Sequence, residues 1–228
     1  MKNLLPLCAA ALSAAVLAQP TVVGDEACPR YAIDIEAFAT CDGDRVAAPR
    51  PAPRLEAWSF DESVLPLNKR TSAARYVDAR RAYVLKVADP QAVILVDVRS
   101  GIEIELAGHP QLVDLNVPWR EFAQPFAWDV ESHGWRMVPN PSFGAQLVER
   151  LQLRGAGPDS LILLLCRAGE RSARAADELT RLGYRNVYTI VDGFEGDIGA
   201  DGQRSVNGWK NAGLPWTAWT EGALIARH

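Results

Sequence analysis

Leu161-Ile162-Leu163-Leu164-Leu165-Cys166-Arg167-Ala168-Gly169-Glu170-Arg171-Ser172 is the stretch that decides the fold of this 228-residue chain. Five consecutive apolar residues without polar alternation suit a strand buried on both faces, as in a parallel sheet. After Cys166 the composition turns charged and glycine-bearing. From residue 172 to 182, Ala175, Ala176, Leu179 and Leu182 form the inward stripe of a helix, with Gly183 as its C-cap. Strand, tight turn and helix together put one thiol at a strand's carboxyl end, facing backbone N–H groups and the positive end of a helix dipole. A lone cysteine after an apolar strand is usually a small core residue. The charged, turning segment that follows this one points instead to a nucleophile. Arg167 and Arg171 add positive charge, so the bowl suits an anion beside a reactive sulfur.

Working outward, residues 92–98 form a β-branched run that reads as a buried strand. Residues 112–117 and 186–191 read as further strands. Residues 72–87 read as a helix. A second helix spans 143–153, with Phe143, Leu147 and Leu151 on one face, and is ended by Gly155-Ala156-Gly157-Pro158. Helices alternating with buried strands give an α/β domain with a mainly parallel central sheet flanked by helices. Ligands of such sheets bind beyond the carboxyl ends of the strands, where Cys166 falls.

Around this domain (71–219) the chain carries additions. Lys2 followed by the apolar stretch 4–17 reads as a signal peptide over 1–18, cleaved near Ala18-Gln19. Export to a periplasm or the medium follows, with no membrane span after cleavage. Residues 19–70 form an amino-terminal extension with a proline-rich linker at 47–54, and 220–228 form a tail. Of four cysteines, cleavage removes Cys8. Cys28 and Cys41, thirteen positions apart, are expected to form a disulfide that leaves Cys166 free. No Cys or His spacing suggests a metal site, and Asp197 with Asp201 supply too few carboxylates for calcium. No cofactor is implied. A net charge of −4 argues against nucleic-acid binding. The insertion 118–141 holds Trp119, Phe122, Phe126, Trp128 and Trp135. It reads either as a wall of the substrate entrance or, as favoured here, as a surface loop pinned by its own aromatics. The tail segment 199–219, with Trp209, Trp216 and Trp219, is expected to pack back on the sheet.

Taken together, Val96-Asp97-Val98-Arg99, Gly108-His109, the Cys166 loop with Arg171-Ser172, Val191-Asp192-Gly193-Phe194 and Gly213-Leu214-Pro215-Trp216 resemble the rhodanese sulfurtransferase family. The resemblance covers roughly residues 71–216. After Gly108-His109 the family usually continues Ile-Pro-Gly-Ala, whereas this chain has Pro110-Gln111-Leu112-Val113, a difference in local loop shape.

The resemblance implies covalent two-step chemistry. Cys166 takes the outer sulfur of an anionic donor such as thiosulfate and holds it as a persulfide. A thiol or cyanide acceptor, or a sulfur-relay protein, then removes it. Arg171 is expected to hold the donor or brace the loop. Arg167, Ala168, Gly169, Glu170 and Ser172 complete the substrate bowl, although Arg167 also reads as plain surface charge. Asp97 and Arg99 are expected to pair and orient loops near the site, and Glu103 and His109 to be structural. Two rivals are a cysteine-dependent phosphatase or arsenate reductase and a non-catalytic binding module. Those phosphatases resemble a pattern with five residues between Cys and Arg. Here four separate Cys166 from Arg171, a tighter loop that suits one sulfur atom.

Overall fold

The computed structural model describes residues 60–220 together with Gly222 and Leu224. The segment 1–18, the extension through residue 59 with Cys28 and Cys41, and most of the tail lie outside the described residues.

In chain order the elements are β1 (Tyr76–Val77), α1 (Ala79–Ala88), β2 (Val93–Asp97), α2 (Gly101–Ala107), β3 (His109–Pro110) and β4 (Leu115–Asn116). An insertion of β5 (Arg120–Phe122), β6 (Trp128–Asp129), β7 (Gly134–Trp135) and β8 (Met137–Pro139) follows. Then come α3 (Phe143–Leu153), β9 (Leu161–Leu165), α4 (Glu170–Arg181), β10 (Val187–Ile190) and β11 (Trp216–Thr217). The central sheet runs β1-β10-β9-β2-β4, and every pairing in it is parallel, so the expected α/β architecture is present.

Strand β9 lies in the middle and is buried throughout. Its side chains alternate between two cores. Ile162 and Leu164 join Leu147, Leu151, Ala175 and Leu179 on the face covered by α3 and α4. Leu161, Leu163 and Leu165 join Ala82, Leu85, Phe194 and Trp209 on the other. Both faces are apolar because both are covered, which is why the segment shows no period of two in its hydropathy. Each such leucine contributes roughly 1.5–3 kcal/mol of burial.

The expected helix over 72–87 is corrected. Tyr76 and Val77 pair with Thr189 and Ile190 as an edge strand. The helix begins only after Asp78, whose carboxylate accepts the Arg81 N–H at 2.7 Å as an N-cap. Helix α4 starts two residues before Ser172, because Gly169 makes the turn with φ +97°. Leu182, expected inward, sits at the helix C-cap and is 40% exposed. Gly183, just beyond it, has φ +95°, as a terminating glycine should. Of the tail tryptophans, Trp209 is fully buried. Trp216 lies in β11, which pairs with β3 in a separate two-stranded sheet, and Trp219 is 88% exposed. Of the departing segment 110–113, Pro110 lies in β3 opposite Trp216, and the Gln111 N–H donates to the Pro215 carbonyl.

The insertion folds as two nested hairpins, β5 with β8 and β6 with β7. Phe122, Phe126, Trp128 and Trp135 pack in a chain of tilted and edge-on rings, and Trp119 meets Phe143 edge-on at 4.9 Å. Its aromatics therefore pin the loop to itself and to the domain.

Candidate active site

Cys166 follows the last residue of β9 and is 1% exposed. Its Sγ accepts the Gly169 N–H at 3.1 Å and lies 3.5 Å from Ser172 Oγ. That hydroxyl is 3.0 Å from the Gly169 carbonyl and 2.7 Å from Thr189 Oγ1 on β10. The loop thus curls around the sulfur and is tied to the neighbouring strand beneath it. The N-cap of α4 is Gly169, so no N-cap side chain satisfies its first-turn N–H groups.

The back of the loop is held by the segment after β10. The Cys166 carbonyl accepts the Phe194 N–H at 2.8 Å, and the Arg167 carbonyl accepts those of Glu195 and Gly196 at 2.9 and 3.2 Å. This contact is close enough to demand glycine on both sides. A Cβ on Gly193 (φ +64°) would stand 2.6 Å from the Arg167 and Ala168 backbone. One on Gly169 would stand 2.1 Å from the Val191 carbonyl oxygen.

At the end of β2, Asp97 and Arg99 form the expected ion pair, fully buried, with Arg99 Nη2 at 2.6 Å from Asp97 Oδ2. The guanidinium also donates to the Gly108 carbonyl at 2.8 Å and lies over the Phe194 ring at 4.2 Å. Asn116 Nδ2 donates to the Asp97 and Arg99 carbonyls. This pair fixes the β2–α2 connection and joins it to the segment behind the Cys166 loop.

Arg171, from the first turn of α4, points at α2. It donates to both carboxylate oxygens of Glu103, at 2.6 Å each. Glu103 is itself set by a capping box, accepting the Ser100 N–H while its own N–H donates to Ser100 Oγ. Burial alone would push the Glu103 carboxyl up. The hydrogen bonds and charge of Arg171, then the Ser100 N–H and the charge of Arg99, outweigh it and hold the carboxyl down to about 2. Burial works against the charged form of Arg171 too, and Glu103 overcomes it, with smaller help from Cys166 and Asp97. Arg171 Nη1 also stands 4.0 Å from Met137 Sδ on β8, which brings the insertion to the edge of the site.

Two supporting residues carried no readable signal. Lys69, buried, donates to the Val191 carbonyl at 3.0 Å and to Asp197 at 2.6 Å, and its Cδ lies close to Gly169. Thr189 supports Ser172 from a strand whose pattern marked it only as core. His109 is buried, its ring nitrogens 2.9 Å from the Pro110 carbonyl and 3.1 Å from that of Trp219, in keeping with a structural residue. Cys166, Ala168 and Gly169 lie in the loop and Arg171 and Ser172 in the first turn of α4, while Arg167 and Glu170 are exposed. Among the described residues no group of three or more His, Cys, Asp or Glu is placed to hold a metal ion, and no helix is long and apolar enough to cross a membrane.

The family described as Rhodanese-like domain matches residues 81–198. The chain is 32% identical over 136 residues to the uncharacterized protein RC0915 of Rickettsia conorii, across 60% of this chain and 91% of that protein. The crystal structure of Rv0390 from M. tuberculosis is 29% identical with a TM-score of 0.45, covering 63% of this chain and 96% of that one. The solution structure of the polysulfide-sulfur transferase homodimer from Wolinella succinogenes is 20% identical with a TM-score of 0.39, covering 64% and 80%.

Proposed function

This chain belongs to the rhodanese-like domain family, and on that footing we propose that it is an exported sulfurtransferase. It moves a sulfane sulfur from an anionic donor such as thiosulfate to a thiol or cyanide acceptor, through a persulfide on Cys166. The observation that carries this reading is the cradle at Cys166: a free, buried sulfur at a strand end, bonded to the Gly169 N–H and adjoining the uncapped start of α4.

In the first step the Cys166 thiolate forms a bond to the outer sulfur of thiosulfate. The donor's S–S bond breaks, and sulfite leaves with the bonding pair. Cys166 now carries a persulfide whose terminal anionic sulfur accepts hydrogen bonds from the loop N–H groups. In the second step the acceptor attacks that terminal sulfur and the Cys166 thiolate is released. Arg171 serves in this scheme by bracing the loop against α2, since both arms of its fork are committed to Glu103. The short spacing from Cys166 to Arg171 supports sulfur rather than phosphate as the group transferred.

Export rests on the signal-like segment 1–18. It carries with it a Cys28–Cys41 disulfide that fastens the extension and leaves Cys166 reduced. Non-reducing peptide mapping of exported protein should find Cys28 joined to Cys41, and a link from either to Cys166 would overturn that pairing.

Incubation with thiosulfate should add one sulfur's mass to the Cys166 peptide, and cyanide should then release thiocyanate. Full turnover by Cys166→Ser would refute the assignment. Robust hydrolysis of para-nitrophenyl phosphate by the parent protein would favour a phosphatase.

A further inference from the structure

We propose that Arg204 and Arg167 together bind the oxyanion end of the sulfur donor and of the leaving sulfite, a proposal that rests on sulfur transfer at Cys166. Arg99 is matched to Asp97, Arg171 to Glu103 and Lys69 to Asp197, each in an ion pair of 2.6 Å. Their charges are spent on holding the site together. Among the described residues, neither Arg167 nor Arg204 forms an ion pair.

Backbone geometry brings the guanidinium of Arg204 to the main chain of Arg167. The Arg167 carbonyl accepts the Gly196 N–H at 3.2 Å, and the Gly196 carbonyl accepts Arg204 Nη1 at 2.7 Å. Gly196 therefore links the main chain of the residue after the nucleophile to the guanidinium of Arg204. The segment bearing Arg204 is built to stay there. Ile198 and Arg204 form an antiparallel bridge, and Asn211 Nδ2 ties the carbonyls of Glu195, Arg204 and Asn207 together. Gly196 and Gly208 meet too closely to admit a Cβ on either.

One nitrogen of Arg204 is anchored, and the others have no partner among the described residues. Its charged form is opposed first by burial and then by the nearby charge of Arg167, with Glu195, Asp197 and Glu170 acting the other way. No carboxylate among the described residues stands at ion-pair distance from either side chain, so the repulsion between the two charges is only partly offset, and a bound divalent oxyanion relieves the rest. Thiosulfate carries its reactive sulfur and its oxyanion on neighbouring atoms. A donor held by this pair at the rim presents its outer sulfur inward, toward Sγ.

The test uses Arg204→Gln, which keeps a donor for the Gly196 carbonyl, together with Arg167→Gln and the charge-restoring Arg204→Lys. Arg185→Gln changes the net charge equally at the far end of the sheet and controls for general attraction of anions. Arg204→Gln should raise KM for thiosulfate about tenfold with kcat within about twofold, by loss of a charge-assisted bond. It should weaken sulfite binding, measured by calorimetry on the unreacted protein, by a similar factor. Arg204→Lys should recover part of both, and Arg185→Gln should change neither. Unchanged sulfite affinity and thiosulfate KM in Arg204→Gln would overturn the proposal while leaving the persulfide chemistry standing. Failure of Cys166 to take up sulfur would instead refute the sulfurtransferase reading, and the sulfite measurement would still decide whether the two arginines form an anion site.

Discussion

Arg171 and Glu103 meet fork to fork, two hydrogen bonds of 2.6 Å joining the first turn of the helix behind Cys166 to the capping box of the helix after Asp97. The pair is nearly enclosed, so removing one partner strands a buried charge, and such losses run to about 3–5 kcal/mol. Arg171→Ala should therefore lower unfolding stability by about 3 kcal/mol and cut sulfur transfer about ten- to a hundredfold. Arg171→Lys should recover little, because an ammonium cannot reproduce the planar fork. The double variant Arg171→Gln with Glu103→Gln should be more stable than either single variant predicts by addition. Denaturant titrations of the four proteins give the coupling, and strict additivity would show that the pair is not a unit.

The same pair sets an acid limit. The Glu103 carboxyl is lowered from 4.5 to about 2 in the folded protein, so its contribution is fully present above about pH 4.5 and lost as pH falls through about 2. At 1.36 kcal/mol per pH unit that is of order 3 kcal/mol. The stability difference between the parent and Glu103→Gln should shrink progressively below pH 4.5. A difference that stays constant to pH 2.5 would contradict it.

Gly193 offers a way to move the loop without touching a charge. An added Cβ would press on the Arg167 and Ala168 backbone at 2.6 Å, and its φ of +64° disfavours any side chain. Gly193→Ala should push the Cys166 loop outward, costing about 1–3 kcal/mol of stability. Persulfide formation should fall by more than tenfold, because the Gly169 N–H leaves its position at Sγ. Turnover equal to the parent in a single-turnover assay would show that the loop tolerates the displacement.

The reach of the sequence follows from the range of the interactions. Strand β9, the Cys166 loop and α4 were legible because a fully buried strand, a turn and an amphipathic helix lie in one continuous segment. The helix Phe143–Leu153 was legible for its single apolar face. Tyr76–Val77 was not, since two edge residues carry no period and the alanine-rich flank reads as helix until Asp78 caps it. Ser100 and Glu103 show a capping-box spacing, yet nothing local says that Glu103 also reaches Arg171, 68 positions on. Arg204 was silent for the same reason. Its place beside Arg167 depends on a loop whose path is set by the close approach of Gly196 and Gly208.

At Asp192 the pH dependence has the opposite sign. Its carboxylate accepts the Ala79 N–H at 2.8 Å and the Gly208 N–H at 3.1 Å, so it fastens the start of α1 to the segment that backs the Cys166 loop. Burial pushes this carboxyl up to about 6 against those bonds, and the charge of Asp78 adds to the rise. A raised folded-state value means that folding favours the protonated group. The stability it lends is fully present below about pH 4 and is lost as pH rises through about 6. The swing is of order 3 kcal/mol. Asp192→Asn cannot titrate, although its amide must turn one N–H toward a backbone donor and so lowers stability at every pH. Urea unfolding at a series of pH values should show the parent losing stability from pH 4 to 7 relative to Asp192→Asn. Parallel curves for the two proteins across that window would mean that the carboxyl stays ionised in the fold, with the two N–H bonds outweighing burial.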